Sequence, residues 1–393
     1  MSLNPRLVKE SFAVIEPVAD RAAAYFYGRL FAVNPHLRGM FPPAMDVQRD
    51  RLFGALTRIA WSVDSPDGMA PFLARLGRDH RKYGVLTEHY AAVRDALLAT
   101  VRHFAAEVWT PEVGRAWEAA YDLAASVMTG AAEADAGVSP AWWLAEVTDH
   151  ELRTPDIAVL TLRPAQPLPY LPGQHVSVQT PRWPRVWRPF SIANAPRPDG
   201  AIRLHVRAVR GGWVSGALVR HTRVGDTLML GPTSGSMAPP DSGRDILCVA
   251  GGTGLAPLKA IAEHVIASGR RPGIHLLYGA RHSAELYDLP DLVRMESEFP
   301  WLRVLPAVSG EPGYDGVRGT VTEVLDRFPS WAGHEVYVCG PPAMVGDAVR
   351  RLRRGGVPLT DIHWDVVRSE AVSPVQAVSP VRGVSPVQSV SPA

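Results

Sequence analysis

The run ILCVAGGTGLAPLKAIAEHVI, residues 246–266, restricts the fold more than any other stretch of the chain. It reads as an apolar strand, a Gly-rich turn (Gly252, Thr253, Gly254) and a helix, with Pro257 in the first helical turn, where a missing N–H costs no hydrogen bond. Although not a GxGxxG sequence, it opens a parallel α/β unit. Further strand-to-helix units follow at HLLYGAR and VYVCGPPAM. Alternating strand and helix implies a parallel sheet, with the ligand at the C-terminal ends of the strands. The Gly-bearing loops fall at that edge. Arg281 lies on one of them, and Cys339, Gly340 and Pro341 on another, where Gly340 directly after Cys339 suits close approach of a ligand.

The stretch before it, from Trp142, is written in short runs of Val, Ile and Thr (EVTDHEL, IAVLTLRPA, HVSVQT, IRLHVRAV, DTLMLG) separated by Pro, Gly and Asp. This spacing predicts a small antiparallel barrel over residues 141–240. Its middle strand carries WRPFSI. Alternate strand residues share a face, so Arg188 and Phe190 stand together with Ser191 beside them; a guanidinium forks onto phosphate, and the triplet suits a flavin. Downstream, Gly211 and Gly212 allow a tight turn, and Val214 and Ser215 open a short helix whose N-terminus suits a pyrophosphate.

Residues 1–137 read as helices only, with breaks at Asn34-Pro35, Phe41-Pro42-Pro43, Ser65-Pro66 and Thr110-Pro111. In PFLARLGRDHRKYGV, residues Leu73, Leu76, His80 and Tyr83 recur at three- and four-residue steps and form one apolar stripe. His80 therefore faces the core, where a neutral imidazole is either a satisfied core residue or an iron ligand. At 393 residues two to three domains are expected. A net charge of +2 makes no case for nucleic acid or an acidic membrane surface. Two cysteines, Cys248 and Cys339, argue against a disulfide framework, and no signal core or long apolar run occurs. A cytoplasmic monomer acting on small molecules, with neither nucleic acid nor membrane as partner, is expected. From Ser369 the sequence becomes a VSPVQA-type repeat, too rich in Pro and Ser to order, and 369–393 is expected to be a disordered tail.

In their order and spacing, FYGRLF, NPHLRGMF, VQRDRLF and GRDHRKYG resemble the globin domain of flavohaemoglobins, and WRPFSI followed by GGWVS resembles the FAD-binding barrel of the ferredoxin–NADP reductase superfamily. The resemblance implies an all-α globin domain, an antiparallel β-barrel FAD domain and an α/β parallel-sheet NAD(P)-binding domain (241–368). It implies haem b, FAD and NADH or NADPH as cofactors, and oxidation of nitric oxide to nitrate with dioxygen, electrons passing from NAD(P)H to FAD to haem. Carried over, it makes His80 the proximal iron ligand, Phe41 the ring against the haem, Tyr27 and Gln48 the distal hydrogen-bonding pair, and Leu52 a lining residue of the same pocket. Tyr90 matches the family's proximal tyrosine. The proximal glutamate falls on Ala134, so either Glu133 takes its place by a one-residue shift or the carboxylate partner is weakened. The family's flavin-covering aromatic falls on Val367, with Trp364 directed to the other side and Asp365 at the family's acidic position. Arg281 could meet a 2′-phosphate or only a ribose. A flavin reductase or an oxygen-binding or sensing globin remain as other readings.

Overall fold

A computed structural model describes residues 3–239, 242–328 and 330–367; the tail expected over 369–393 lies outside them. Its residues group into two compact units. One takes residues up to Leu73 together with Leu86–Val127, and the other takes Ala74–Val85 together with the described residues from Met128 onward. In this grouping the segment bearing His80 falls in the second unit.

The N-terminal helices are α1 (Pro5–Ile15), α2 (Ala19–Val33), α3 (Asp46–Trp61), α4 (Pro66–His80), α5 (His89–Phe104) and α6 (Pro111–Ala136). Pro opens α1, α4 and α6, where its ring is already set for the helix and no N–H is missed. The helix expected from Pro71 begins one turn earlier, at Pro66, and holds Pro71 inside it. In the first unit Phe12, Phe26, Leu30 and Trp117 build the core. Phe12 stacks on Phe53 with centroids 5.6 Å apart. The buried Trp117 indole N–H donates to Ser11 Oγ at 2.8 Å, satisfying a polar group that would otherwise be costly there.

In the second unit, strands β1 (Trp143–Thr154), β2 (Ile157–Pro164), β3 (His175–Gln179), β4 (Arg188–Ser191), β5 (Ile202–Arg207) and β6 (Thr227–Ser234) form an antiparallel sheet in the order β4-β3-β6-β1-β2-β5. The strand carrying Arg188, Phe190 and Ser191 is therefore at one end of the ladder, not in its middle. A bridge between Ile192 and Leu204 joins the two end strands and closes the barrel, so the expected middle strand is its seam. Helix α7 (Trp213–Arg220) follows β5.

Strands β7 (Ile246–Gly251), β8 (Ile274–Ala280), β9 (Leu302–Val308), β10 (Val317–Arg318), β11 (Glu335–Gly340) and β12 (Ile362–Val366) make an all-parallel sheet in the order β10-β9-β8-β7-β11-β12. Between them run α8 (Leu255–Ala267), α9 (Leu289–Glu298), α10 (Val321–Leu325) and α11 (Pro342–Arg354). β7 and β11 are buried along their whole length, as strands covered on both faces must be. Among the described residues no helix is long and apolar enough to cross a membrane.

Candidate cofactor-binding sites

His80 ends α4, and the chain then turns through Arg81–Tyr83 and the left-handed Gly84, φ 73°. Its Nδ1 lies 2.7 Å from the carbonyl oxygen of Leu76. The carbonyl can only accept, so Nδ1 carries the proton and Nε2 keeps its lone pair. Burial lowers the imidazole pKa, which favours that neutral form. This donor set fits iron in a porphyrin. The imidazole is oriented by a backbone carbonyl. Glu133 stands exposed on α6, while Asp135, on the other side of Ala134, pairs with Arg81. Arg81 also donates to the Ser139 carbonyl at 2.7 Å.

In the helical unit the Tyr27 side chain is buried, and its hydroxyl donates to the backbone carbonyl of Gln48 at 3.4 Å. The expected partnership thus runs through the Gln48 main chain. Burial pushes the phenol up to about 12, so it stays a hydrogen donor. Phe41 meets Tyr27 edge to face at 5.5 Å. Leu52 lines a small apolar cavity together with Phe12, Phe26, Phe53 and Trp117. The Tyr90 carbonyl accepts from the Tyr121 hydroxyl at 2.7 Å, and burial raises the Tyr90 phenol.

On β4, Arg188 and Phe190 are half-buried and Pro189 between them is exposed, as alternation requires. Ser191 pairs across the ladder with His175. Gly211 holds φ 75°, a conformation that strains other residues, and Gly212 precedes α7 with no side chain capping the helix. Its first amides are thus presented as an anion site requires. Val214 and Ser215 are buried, and Ser215 Oγ accepts from Val209 N–H at 3.4 Å. Any contact they make with a pyrophosphate comes from their backbone. Trp183, ahead of β4, and Trp213, the first residue of α7, which sequence reasoning missed, stack on each other with ring centroids 4.8 Å apart. The residues present fit a flavin dinucleotide.

At the C-terminal edge of the parallel sheet, Gly252 holds φ 56°. A Cβ at Gly254 would stand 2.3 Å from the Cys339 carbonyl oxygen, and one at Gly340 would stand 2.7 Å from the Met344 methyl. Within the chain itself, the atoms nearest that position belong to Met344. The Cys339 side chain is packed in the core, where burial raises its thiol pKa, so a cofactor could reach only its backbone. Thr253 is half-buried, Pro257 is buried inside α8, and Pro341 and Arg281 are exposed. The Arg281 N–H donates to Glu285 at 3.0 Å. Val367 N–H donates to the Gly340 carbonyl at 2.9 Å, leaving its side chain exposed near the loop.

Three family models match in order: globin over residues 24–128, oxidoreductase FAD-binding domain over 145–238, and oxidoreductase NAD-binding domain over 248–350. The flavohemoprotein of Bordetella parapertussis is 28% identical over 403 aligned residues, covering 93% of this chain and 98% of that protein. The chain carries the three domains in the order of the flavohemoproteins and is similar to them along nearly its whole length. Its fold is that of the crystallised flavohemoglobin of Malassezia yamatoensis, which holds FAD and haem: TM-score 0.74, 19% identity, coverage 92% of this chain and 98% of that one. The reductase half is more similar to another protein. The xylene/toluene monooxygenase electron transfer component XylA of Pseudomonas putida is 35% identical over 206 residues, which cover 51% of this chain and 59% of XylA. With globin, FAD-binding and NAD-binding domains in one chain, it is a haem-, FAD- and NAD(P)-dependent oxidoreductase.

Proposed function

We propose that the chain is a nitric oxide dioxygenase, using NAD(P)H to convert nitric oxide and dioxygen to nitrate. The observation that carries this reading is the His80 imidazole held by Leu76 at 2.7 Å, with Nε2 left to bind iron, in a chain that also contains its own flavin and nicotinamide domains. Held by these domains, nicotinamide, flavin and haem would together supply hydride donation, its division into single electrons and a gas-binding iron. The protein's own residues do the rest. The edge built by Gly252–Gly254 and Cys339–Pro341 would receive the nicotinamide dinucleotide, and Arg281 its ribose or 2′-phosphate. Arg188, Phe190, Ser191 and the α7 amides would bind and orient the flavin. Tyr27, kept protonated by burial, would donate a hydrogen bond to the bound gas, with Gln48 as its neighbour and Phe41 packing the ring in place.

The test is an anaerobic absorbance titration with NAD(P)H, followed by air and nitric oxide. Flavin bleaching, haem reduction and nitrate equal to the nitric oxide consumed are expected. A ferric haem that survives flavin reduction would overturn the reading. That result would favour an electron-transfer reductase, a reading supported by the 35% identity of the reductase half to XylA.

A further inference from the structure

Lys82 is two residues beyond His80, yet it is buried against the flavin barrel. Its Nζ lies 2.5 Å from Asp79 Oδ1 and 3.3 Å from Ser177 Oγ on β3. It also stands 5.3 Å from the Tyr83 ring centre and 5.5 Å from that of Trp187, the residue before Arg188. Such a cation over aromatic faces, shielded from water, is held more strongly than at the surface. The barrel makes room for it: a Cβ at Gly231 on β6 would stand 3.1 Å from Lys82 Cδ. Tyr83 meets His80 edge-on at 6.4 Å and Trp187 edge-on at 6.4 Å. Behind them Gly77 packs so closely on α6 that a Cβ there would stand 2.1 Å from the Met128 carbonyl oxygen. Together these contacts explain why Ala74–Val85 groups with the reductase half.

We propose that the flavin barrel positions the haem ligand: Lys82 and Tyr83, clamped onto Ser177, Gly231 and Trp187, fix where His80 stands. The proposal rests on His80 being the iron ligand. Lys82 and Gly231 are positioning residues that act through His80, and neither belongs to the flavin or nicotinamide sites. One mechanical body then carries the iron ligand and the strand that binds the flavin. A change on either side of the clamp should be felt at the other.

The test uses the full-length holoprotein and two variants on opposite sides of the clamp, Lys82→Met and Gly231→Ala. Amide exchange in residues 78–86 is expected to quicken about tenfold in both, the size of losing one hydrogen bond to a charged group. Exchange in α2 and α5 should be unchanged. The iron–histidine stretching band of the ferrous haem is expected to shift in both variants, while NAD(P)H-driven ferricyanide reduction stays as in the parent. Unchanged exchange would overturn the clamp, and quickened exchange with an unmoved band would overturn the positioning of His80. If Gly231→Ala does not fold, Lys82→Met decides alone. His80→Gly separates the two claims: an unaltered iron–histidine band in that variant would refute the ligand assignment, while the exchange data would still report on the clamp.

Discussion

Gly254 and Cys339 meet backbone to backbone: a Cβ on the glycine would stand 2.3 Å from the cysteine's carbonyl oxygen. The Gly-rich turn after β7 is thereby seated on the end of β11, and the two loops that flank the nicotinamide edge form one surface. Gly254→Ala must push a backbone carbonyl aside, at a cost of about 1–3 kcal/mol. The expected outcome is a lower urea midpoint for the second unit and a raised KM for NAD(P)H, with flavin content unchanged. Steady-state kinetics beside a denaturation curve followed by flavin fluorescence would show it.

Lys259 on α8 and Asp288 before α9 form an ion pair at 2.6 Å with side chains 4% and 1% exposed. Asp288 Oδ1 has no hydrogen-bond partner, and burial raises the carboxyl pKa although Lys259 opposes the shift. Lys259 Nζ also lies 3.5 Å from Asp291 Oδ2, so Asp288→Ala leaves the buried ammonium only partly paired and should cost about 1–3 kcal/mol. The double variant Lys259→Met with Asp288→Leu should lose markedly less than either single one. Chemical denaturation of all three variants tests the sign.

His205 on β5 is buried in the barrel wall, with its Nδ1 2.8 Å from the Tyr287 hydroxyl. Burial, then Lys259, Arg153 and Arg203, holds its pKa well below the ordinary 6.5. In the window between the folded pKa and about 6.5 the unfolded chain binds more protons, so stability rises with pH there. This stability is present in full above the unfolded pKa and is lost as pH falls toward the folded value. His205→Phe should flatten that part of a pH–stability curve, and an unchanged slope would point to a different titrating group.

Tyr27 is 4% exposed, and burial keeps its phenol protonated. A hydrogen bond to a partly anionic gas ligand is worth about 1.5–3 kcal/mol, so Tyr27→Phe should slow nitric oxide consumption under air by roughly ten- to a hundredfold. Flavin reduction by NAD(P)H, timed anaerobically, should not change. Equal losses in both rates would remove Tyr27 from the distal role.

Much of the fold was legible because its signals are local. The breaks at Ser65-Pro66 and Thr110-Pro111, the strand–turn–helix around Gly252–Gly254, and the short Val, Ile and Thr runs of the barrel depend on residues a few positions apart. The order of the motifs added the family, and with it the three cofactors. The placement of WRPFSI could not be read the same way. A strand looks alike whether it is central or at the seam, and only the Ile192 to Leu204 bridge distinguishes them.

By itself, the sequence determined three kinds of domain in a fixed order, along with the residue types able to hold iron, flavin and nicotinamide. The tertiary structure decided which partners those residues have. It gave the His80 imidazole the Leu76 carbonyl, paired Arg81 with Asp135 on α6, and directed the Cys339 thiol into the core. It also buried Lys82 against the barrel, joining residues 82 and 177 across 95 positions of chain. The physical reason is range: backbone propensity acts over a few residues, whereas a buried charge or polar group takes its partner from whatever the folded chain brings within about 3 Å.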